Sequence, residues 1–153
     1  MNKNASMNTF YQKALKEMEK KSPDFIKVKD LLVGGVDAKC GDSAYALATW
    51  YLHGYDEAEV KQSYSKAIDL LEIAVNGNIP SAAYDLAICF EKGESVEINE
   101  QKAFELYVKA ALFGDSQSFH EVGRCYYHGI GVSQDQNLAD IWLDRAESLG
   151  IHE

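Results

Sequence analysis

Three cysteines and four histidines are the readiest nucleophiles, bases and metal ligands in this chain, and their spacing argues against all three roles. The segments LATWYLHG, LAICFEKG and VGRCYYHG align from Leu47, Leu86 and Val122. Cys89 and Cys125 then share a position with Trp50, which marks a packing position. Equivalent positions in stacked helix pairs lie about 9–10 Å apart, whereas disulfide-bonded Cα atoms need less than ~7 Å. The thiols are therefore expected to be buried, unpaired and in a reducing compartment. His53 and His128 also coincide, each just before a glycine at a helix C-terminus, with Lys92 in the same slot. A cation there complements the helix dipole. His120, Arg124 and His128 form an i, i+4, i+8 stripe, but Arg124 in its middle opposes a metal ion. Gly129-Ile130-Gly131-Val132 follows no strand, so it is no phosphate loop. No Ser/His/Asp or Cys/His set has a recognisable context. The expectation is a protein with no catalytic, cofactor-binding or metal-binding residues.

The elements that carry these residues repeat. Gly41, Gly77, Gly114 and Gly150 recur at near-constant intervals, and Gly54, Gly93 and Gly129 form a second series between them. Upstream of the second series, Leu47, Leu86 and Val122 coincide, as do Ala48, Ala87 and Gly123, and Tyr51, Phe90 and Tyr126. Small residues (Ser43, Ala82, Ser118) precede the Leu position by four, and Tyr45, Tyr84 and His120 precede it by two. Downstream, Ala67-Leu70-Leu71-Ala74 lie at i, i+3, i+4 and i+7, which is one face of a helix. Ala103-Leu106-Tyr107-Ala110 and Ala139-Trp142-Leu143-Ala146 repeat that pattern. A glycine follows each of these second helices, where a left-handed cap is expected, and Asn99 and Ser133 suit their N-caps. Each unit reads as helix A, turn, helix B, turn. A single hairpin cannot bury both apolar faces, so such units stack.

The units resemble Sel-one-like repeats, relatives of the tetratricopeptide repeat. Residues 77–113 match best, with Ala82, Leu86, Ala87, Phe90, Gly93, Lys102-Ala103, Tyr107, Lys109-Ala110-Ala111 and Gly114. Residues 114–150 supply Ser118, Val122, Gly123, Tyr126, Gly129, Ala139, Trp142 or Leu143, Ala146 and Gly150; residues 41–76 fit with a longer loop. Residues 7–40 read as a degenerate capping unit. Its first helix has Phe10, Ala14, Leu15 and Met18 on one face. Its second begins at Ser22-Pro23 and is expected to break or kink at Gly34-Gly35. The resemblance implies an all-α, right-handed solenoid of about four antiparallel helix pairs, a single repeat domain over 1–153. It also implies an adaptor-like, non-enzymatic protein–protein interaction module. Secreted members of that family carry disulfides within a repeat, but no unit here holds a cysteine pair.

Charge narrows the partner. The chain carries −9 overall, yet residues 1–22 hold five lysines and two acids, leaving −12 on the rest. That sign is wrong for nucleic acid and for an anionic membrane surface; it admits a basic protein or peptide. The longest apolar stretch, near Leu31–Val36, is far too short for a membrane span, and the N-terminal segment lacks a signal-peptide core. The expected location is cytoplasmic. In related repeats helix A lines the concave wall, which here would present Tyr45, Thr49, Tyr84, Asp85, Ile88, His120, Glu121, Arg124 and Tyr127. Asp85, Glu121 and Arg124 are expected in solvent. The A-to-B turns would form a second surface, an acidic edge of Asp56, Glu57, Glu59, Glu94, Glu97, Glu100 and Asp135. An acidic chain of a few repeats with no attached domain also suits a small inhibitor, such as an immunity protein that masks a toxin's basic active site.

Overall fold

The computed structural model describes residues 3–152. Among them are eight helices and no strand. They are α1 (Lys3–Met18), α2 (Phe25–Asp37), α3 (Gly41–His53), α4 (Tyr64–Asn76), α5 (Pro80–Lys92), α6 (Glu100–Phe113), α7 (Ser116–His128) and α8 (Gln136–Ser148). A short 3-10 turn at Asp56–Ala58 interrupts the α3–α4 loop, where Tyr55 and Val60 form an isolated bridge. Odd-numbered helices are the A helices and even-numbered ones the B helices of four hairpins. The hairpins group into two compact units, one ending at Ile79 and one beginning at Pro80.

One hydrogen bond explains how turns of different length deliver helix B to the same place. The backbone N–H groups of Ser63, Asn99 and Asp135 donate to the carbonyls of Tyr51, Phe90 and Tyr126, at 2.8, 2.9 and 2.9 Å. Each carbonyl lies in the last turn of helix A, where the helix itself offers no donor. Each donor is the N-cap residue of helix B, and its side chain accepts from the N–H three residues on. Asn99 caps α6 as the sequence suggests, but α8 is capped by Asp135, not Ser133. The bond to Tyr126 fixes the start of α8 two residues later. Likewise Asp24, not Ser22, caps α2, accepting from Lys27 N–H at 3.0 Å.

Two helix-B stripes are buried in full as their spacing predicts, whereas on α8 Ala139 and Ala146 are buried and Trp142 and Leu143 only half-buried. Ala67, Leu70, Leu71 and Ala74 are buried in the first unit, and Ala103, Leu106, Tyr107 and Ala110 in the second. Helix A supplies the other side, with Leu47, Ala48, Leu86, Ala87 and Val122 buried. A Cβ on Gly123 would stand 2.7 Å from Leu143, so glycine there lets α7 and α8 close up.

The hairpin of α1 and α2 departs from expectation in two ways. The buried side of α1 runs through Ala14 and Glu17, whereas Leu15 and Met18 are 41% and 43% exposed. The α2 helix runs unbroken through Gly34 and Gly35. The two glycines serve close approach: the Phe10 ring lies over Gly34, and the Ser43 side chain occupies the space a Gly35 Cβ would need. The left-handed cap also shifts at one helix end. Gly114 and Gly150 take φ of 108° and 80°, but Gly77 sits at −83° and Asn78 takes the positive φ of 60° instead.

Candidate functional site

In the second unit the A helices bring together a half-buried charged network. Arg124 of α7 donates from Nη2 to both carboxylate oxygens of Glu91 on α5, at 2.8 and 2.9 Å, and from Nε to Glu121 at 2.7 Å. Beneath them the buried Tyr107 hydroxyl donates to Glu91 at 2.7 Å. Burial, then the bond to Glu91, raises the Tyr107 pKa. Burial works against the Arg124 charge, but the bonds to Glu121 and Glu91 outweigh it and raise its pKa. Tyr84 packs edge-on against Tyr107, with ring centroids 5.9 Å apart. Its pKa is raised by burial first, then by Glu121, Asp115 and Asp85. With Glu91 and Glu121 against one arginine, the network keeps a negative surplus.

Several expected surface residues thus meet here: Tyr84, Asp85, His120, Glu121 and Arg124. His120 Nδ1 lies 3.8 Å from Glu121. Glu121 and Arg124 are not free in solvent, as the sequence suggested. Their side chains are 20% and 28% exposed, and Arg124 binds both Glu121 and Glu91. Asp85 is half-buried as well. Tyr127 is the most exposed, at 45%, with its ring edge-on to His128, and Ile88 is half-buried. Glu91 escaped the sequence reading because it aligns with Leu52 and Tyr127, positions with no shared chemistry. The available signal was an acid three residues beyond Ile88 on the same helix face.

In the first unit Tyr45 and Thr49 lie half-buried on α3, and the Thr49 hydroxyl donates to Ala46 O at 2.7 Å within its own helix. On the other side of α3, Leu47 and Tyr51 line a hollow of about 280 Å³ with Val33, Val36 and Leu70, beside Lys66 and Asp69.

The acidic turns divide between the units. Asp56 and Glu57 lie on the 3-10 turn, and Glu59 follows it with a positive φ; all three are exposed. In the second unit Glu94, Glu97 and Glu100 line the α5–α6 turn. A Cβ on Gly131 would collide with the Glu100 backbone, so the α7–α8 turn, which carries Asp135, lies directly against the start of α6. Asp135 is occupied, accepting from Leu138 N–H at 3.0 Å.

The thiols of Cys40, Cys89 and Cys125 are free and buried. Burial pushes Cys89 up to about 11 and Cys125 up to about 12, so neither is a ready nucleophile. His53, Lys92 and His128 sit exposed in the last turns of α3, α5 and α7. Among the described residues no three His, Cys, Asp or Glu side chains are grouped to hold a metal ion, and no helix is long and apolar enough to cross a membrane.

The repeated capping bond, the paired A and B stripes and the glycine spacing define one repeat type, and a family model agrees. The Sel1 repeat model matches residues 41–78, 80–115 and 120–151. The chain belongs to the Sel1 repeat family. A Sel1 repeat protein from Oxalobacter formigenes has the same fold, with a TM-score of 0.70 and 30% identity over 78% of this chain and 87% of that one. Chitin synthase regulatory factor 3 of Schizosaccharomyces pombe is 26% identical over 81% of this chain, which spans 14% of that protein's length. An immunity protein from Pseudomonas aeruginosa shares the fold at 19% identity, with a TM-score of 0.62 over 95% of this chain and 54% of that one. Sel1 repeat proteins generally mediate protein–protein interactions and are typically non-catalytic.

Proposed function

We propose that this Sel1 repeat protein works without catalysis, by docking a basic segment of a partner protein on its helix-A face. The observation that carries this reading is the Glu91–Arg124–Glu121 network, which joins α5 and α7 and keeps a negative surplus beside half-buried Tyr84 and exposed Tyr127. Salt-bridged side chains are fixed before binding, so less ordering entropy is lost when a lysine or arginine arrives. Aromatic side chains beside them supply the apolar anchor that charged groups cannot. Tyr45 and Thr49 hold the corresponding helix-A positions within the first unit, and the acidic turns steer a basic partner during encounter.

The proposed organisation is one repeat domain over 1–153, with residues 7–40 as a capping unit ahead of three repeats. The proposed location is cytoplasmic, which suits three unpaired buried thiols. A narrower reading makes the protein an immunity-type inhibitor that covers a basic active site. The fold shared with Pseudomonas immunity proteins and the −12 charge beyond residue 22 support it.

Affinity capture at low and high salt identifies the partner, and titration of the purified pair measures the contact. The expected result is a one-to-one complex that weakens as salt rises. A partner that binds equally well to a chain carrying Asp85→Lys and Tyr127→Ala would refute the helix-A reading.

A further inference from the structure

Aligning the eight helices on their buried positions shows that α1 and α8 carry opposite charge where the other helices carry packing residues. Ala14 of α1 takes the place of Ala48, Ala87 and Gly123, all buried. Phe10 of α1 supports that register, since it lies over α2 as the equivalent Phe119 of α7 lies 5.5 Å from Trp142 of α8. In this register Lys13 stands where Leu47, Leu86 and Val122 stand, and Lys16 where Trp50, Cys89 and Cys125 stand.

The B helices align the same way. Val33 and Val36 of α2 share a hollow with Leu47 and Tyr51 of α3. Phe104 of α6, four residues before Val108, stacks edge-on against Tyr126 of α7 at 5.3 Å. These positions form the seam between a B helix and the next A helix. Their equivalents on α8 are Asp140, Asp144 and Glu147, all exposed. Leu138 and Ile141, on the same helix, are exposed too.

Lys13 and Lys16 of α1, with Lys20 just beyond its end, border a hollow of about 220 Å³ with Lys27, Leu31 and Glu17. Glu17 is already satisfied by Lys20 at 2.6 Å and Lys27 at 3.2 Å. No carboxylate partner engages Lys13 or Lys16 among the described residues. No ion pair there engages Asp140, Asp144 or Glu147 either, although Gln136 donates to Asp140 at 2.8 Å. Polar residues alone would suffice to blunt a repeat face. Opposite charges at matching seam positions do more, because each face then complements the other.

We infer that two copies of this protein associate head to tail, the acidic seam face of α8 on one copy docking against the basic seam face of α1 on the next. The contact repeats the B-to-A seam found inside each unit, with ion pairs in place of apolar packing. It is heterologous, so the two faces involved differ. It depends on salt, because its charges are exposed.

Sedimentation velocity of the full chain over a range of concentrations tests this. At roughly 0.01 M salt, where the Debye length is ~30 Å, mass should rise with concentration; at roughly 1 M, where it is ~3 Å, the single chain should remain. Lys13→Glu with Lys16→Glu should weaken association roughly tenfold or more, and so should Asp140→Lys with Asp144→Lys. Mixing the two variants, or placing all four changes in one chain, should restore it. Circular dichroism confirms that each variant folds. A single-chain mass for the wild type at every concentration and salt would overturn the inference and leave the two faces as polar caps only. Association that survives either reversal, or is not restored by the fourfold variant, would also overturn it by placing the contact elsewhere.

Discussion

Arg124 shows how a surface charge becomes structural. Its guanidinium is shared by two carboxylates on two helices, and Glu91 holds the buried Tyr107 hydroxyl as well. Arg124→Ala would leave Glu91 and Glu121 close together without their cation. The expected loss is about 1–3 kcal/mol of stability, read as a lower denaturant midpoint. Glu17 makes a pH prediction. The hydrogen bond from Lys20 holds its carboxyl down at about 2, against an ordinary 4.5, despite desolvation. Its contribution is therefore complete above pH 4.5 and is lost as pH falls from there towards 2. Glu17→Gln should flatten the acid limb of the stability curve in that window. The cysteines give a third check. With Cys89 and Cys125 pushed up to about 11 and 12 and buried, a thiol reagent near pH 8 should label them slowly in the native protein and fast in denaturant.

At the scale of helices, most of the fold was legible because two periodicities agreed, the helical stripe within each element and the glycine spacing between elements. Residues such as Leu71, Ala74, Ala103 and Ala110 are buried where the spacing put them. The caps were harder, because Ser133 and Asp135 are both good N-cap types. The choice was made by a long-range bond to Tyr126 that no local pattern contains. The α1 face differs for a similar reason: Glu17 is buried where a lysine of the α1–α2 turn and a lysine of α2 pair with it. Gly34 and Gly35 were read as breakers, but close neighbours fill the space beside them. At the site, spacing gave the A-helix positions, while Glu91 and its ion pair join α5 to α7 only in the folded second unit. Asp135→Ala should cost about 1 kcal/mol through the lost cap, whereas Ser133→Ala should change the melting temperature little. Deleting residues 1–40 removes the proposed cap. It should lower stability and promote aggregation, and a soluble truncation with unchanged melting would show that the segment does not cap.

For the whole molecule, the first 22 residues hold five lysines against two acids and the remainder ten basic against 22 acidic residues, and under the proposed function the repeats would offer a partner two separable surfaces. The helix-A face combines fixed charge with aromatic side chains; the A-to-B turns carry the acidic residues, with Ile98 exposed among them. The two predict different kinetics. Rim charges act on association rate and fade with salt, while loss of a desolvated anchor appears in dissociation. The most direct test of helix-A docking compares two variants against the captured partner by surface plasmon resonance. One carries Asp85→Lys and Tyr127→Ala, the other Glu94→Lys, Glu97→Lys and Glu100→Lys. The account predicts that the first loses affinity mainly through faster dissociation, by about 2–5 kcal/mol if a desolvated pair is broken. The second should slow association at low salt and change little at high salt. Binding abolished by the turn variant at every salt, and untouched by the helix-A variant, would contradict it and make the turns the interface.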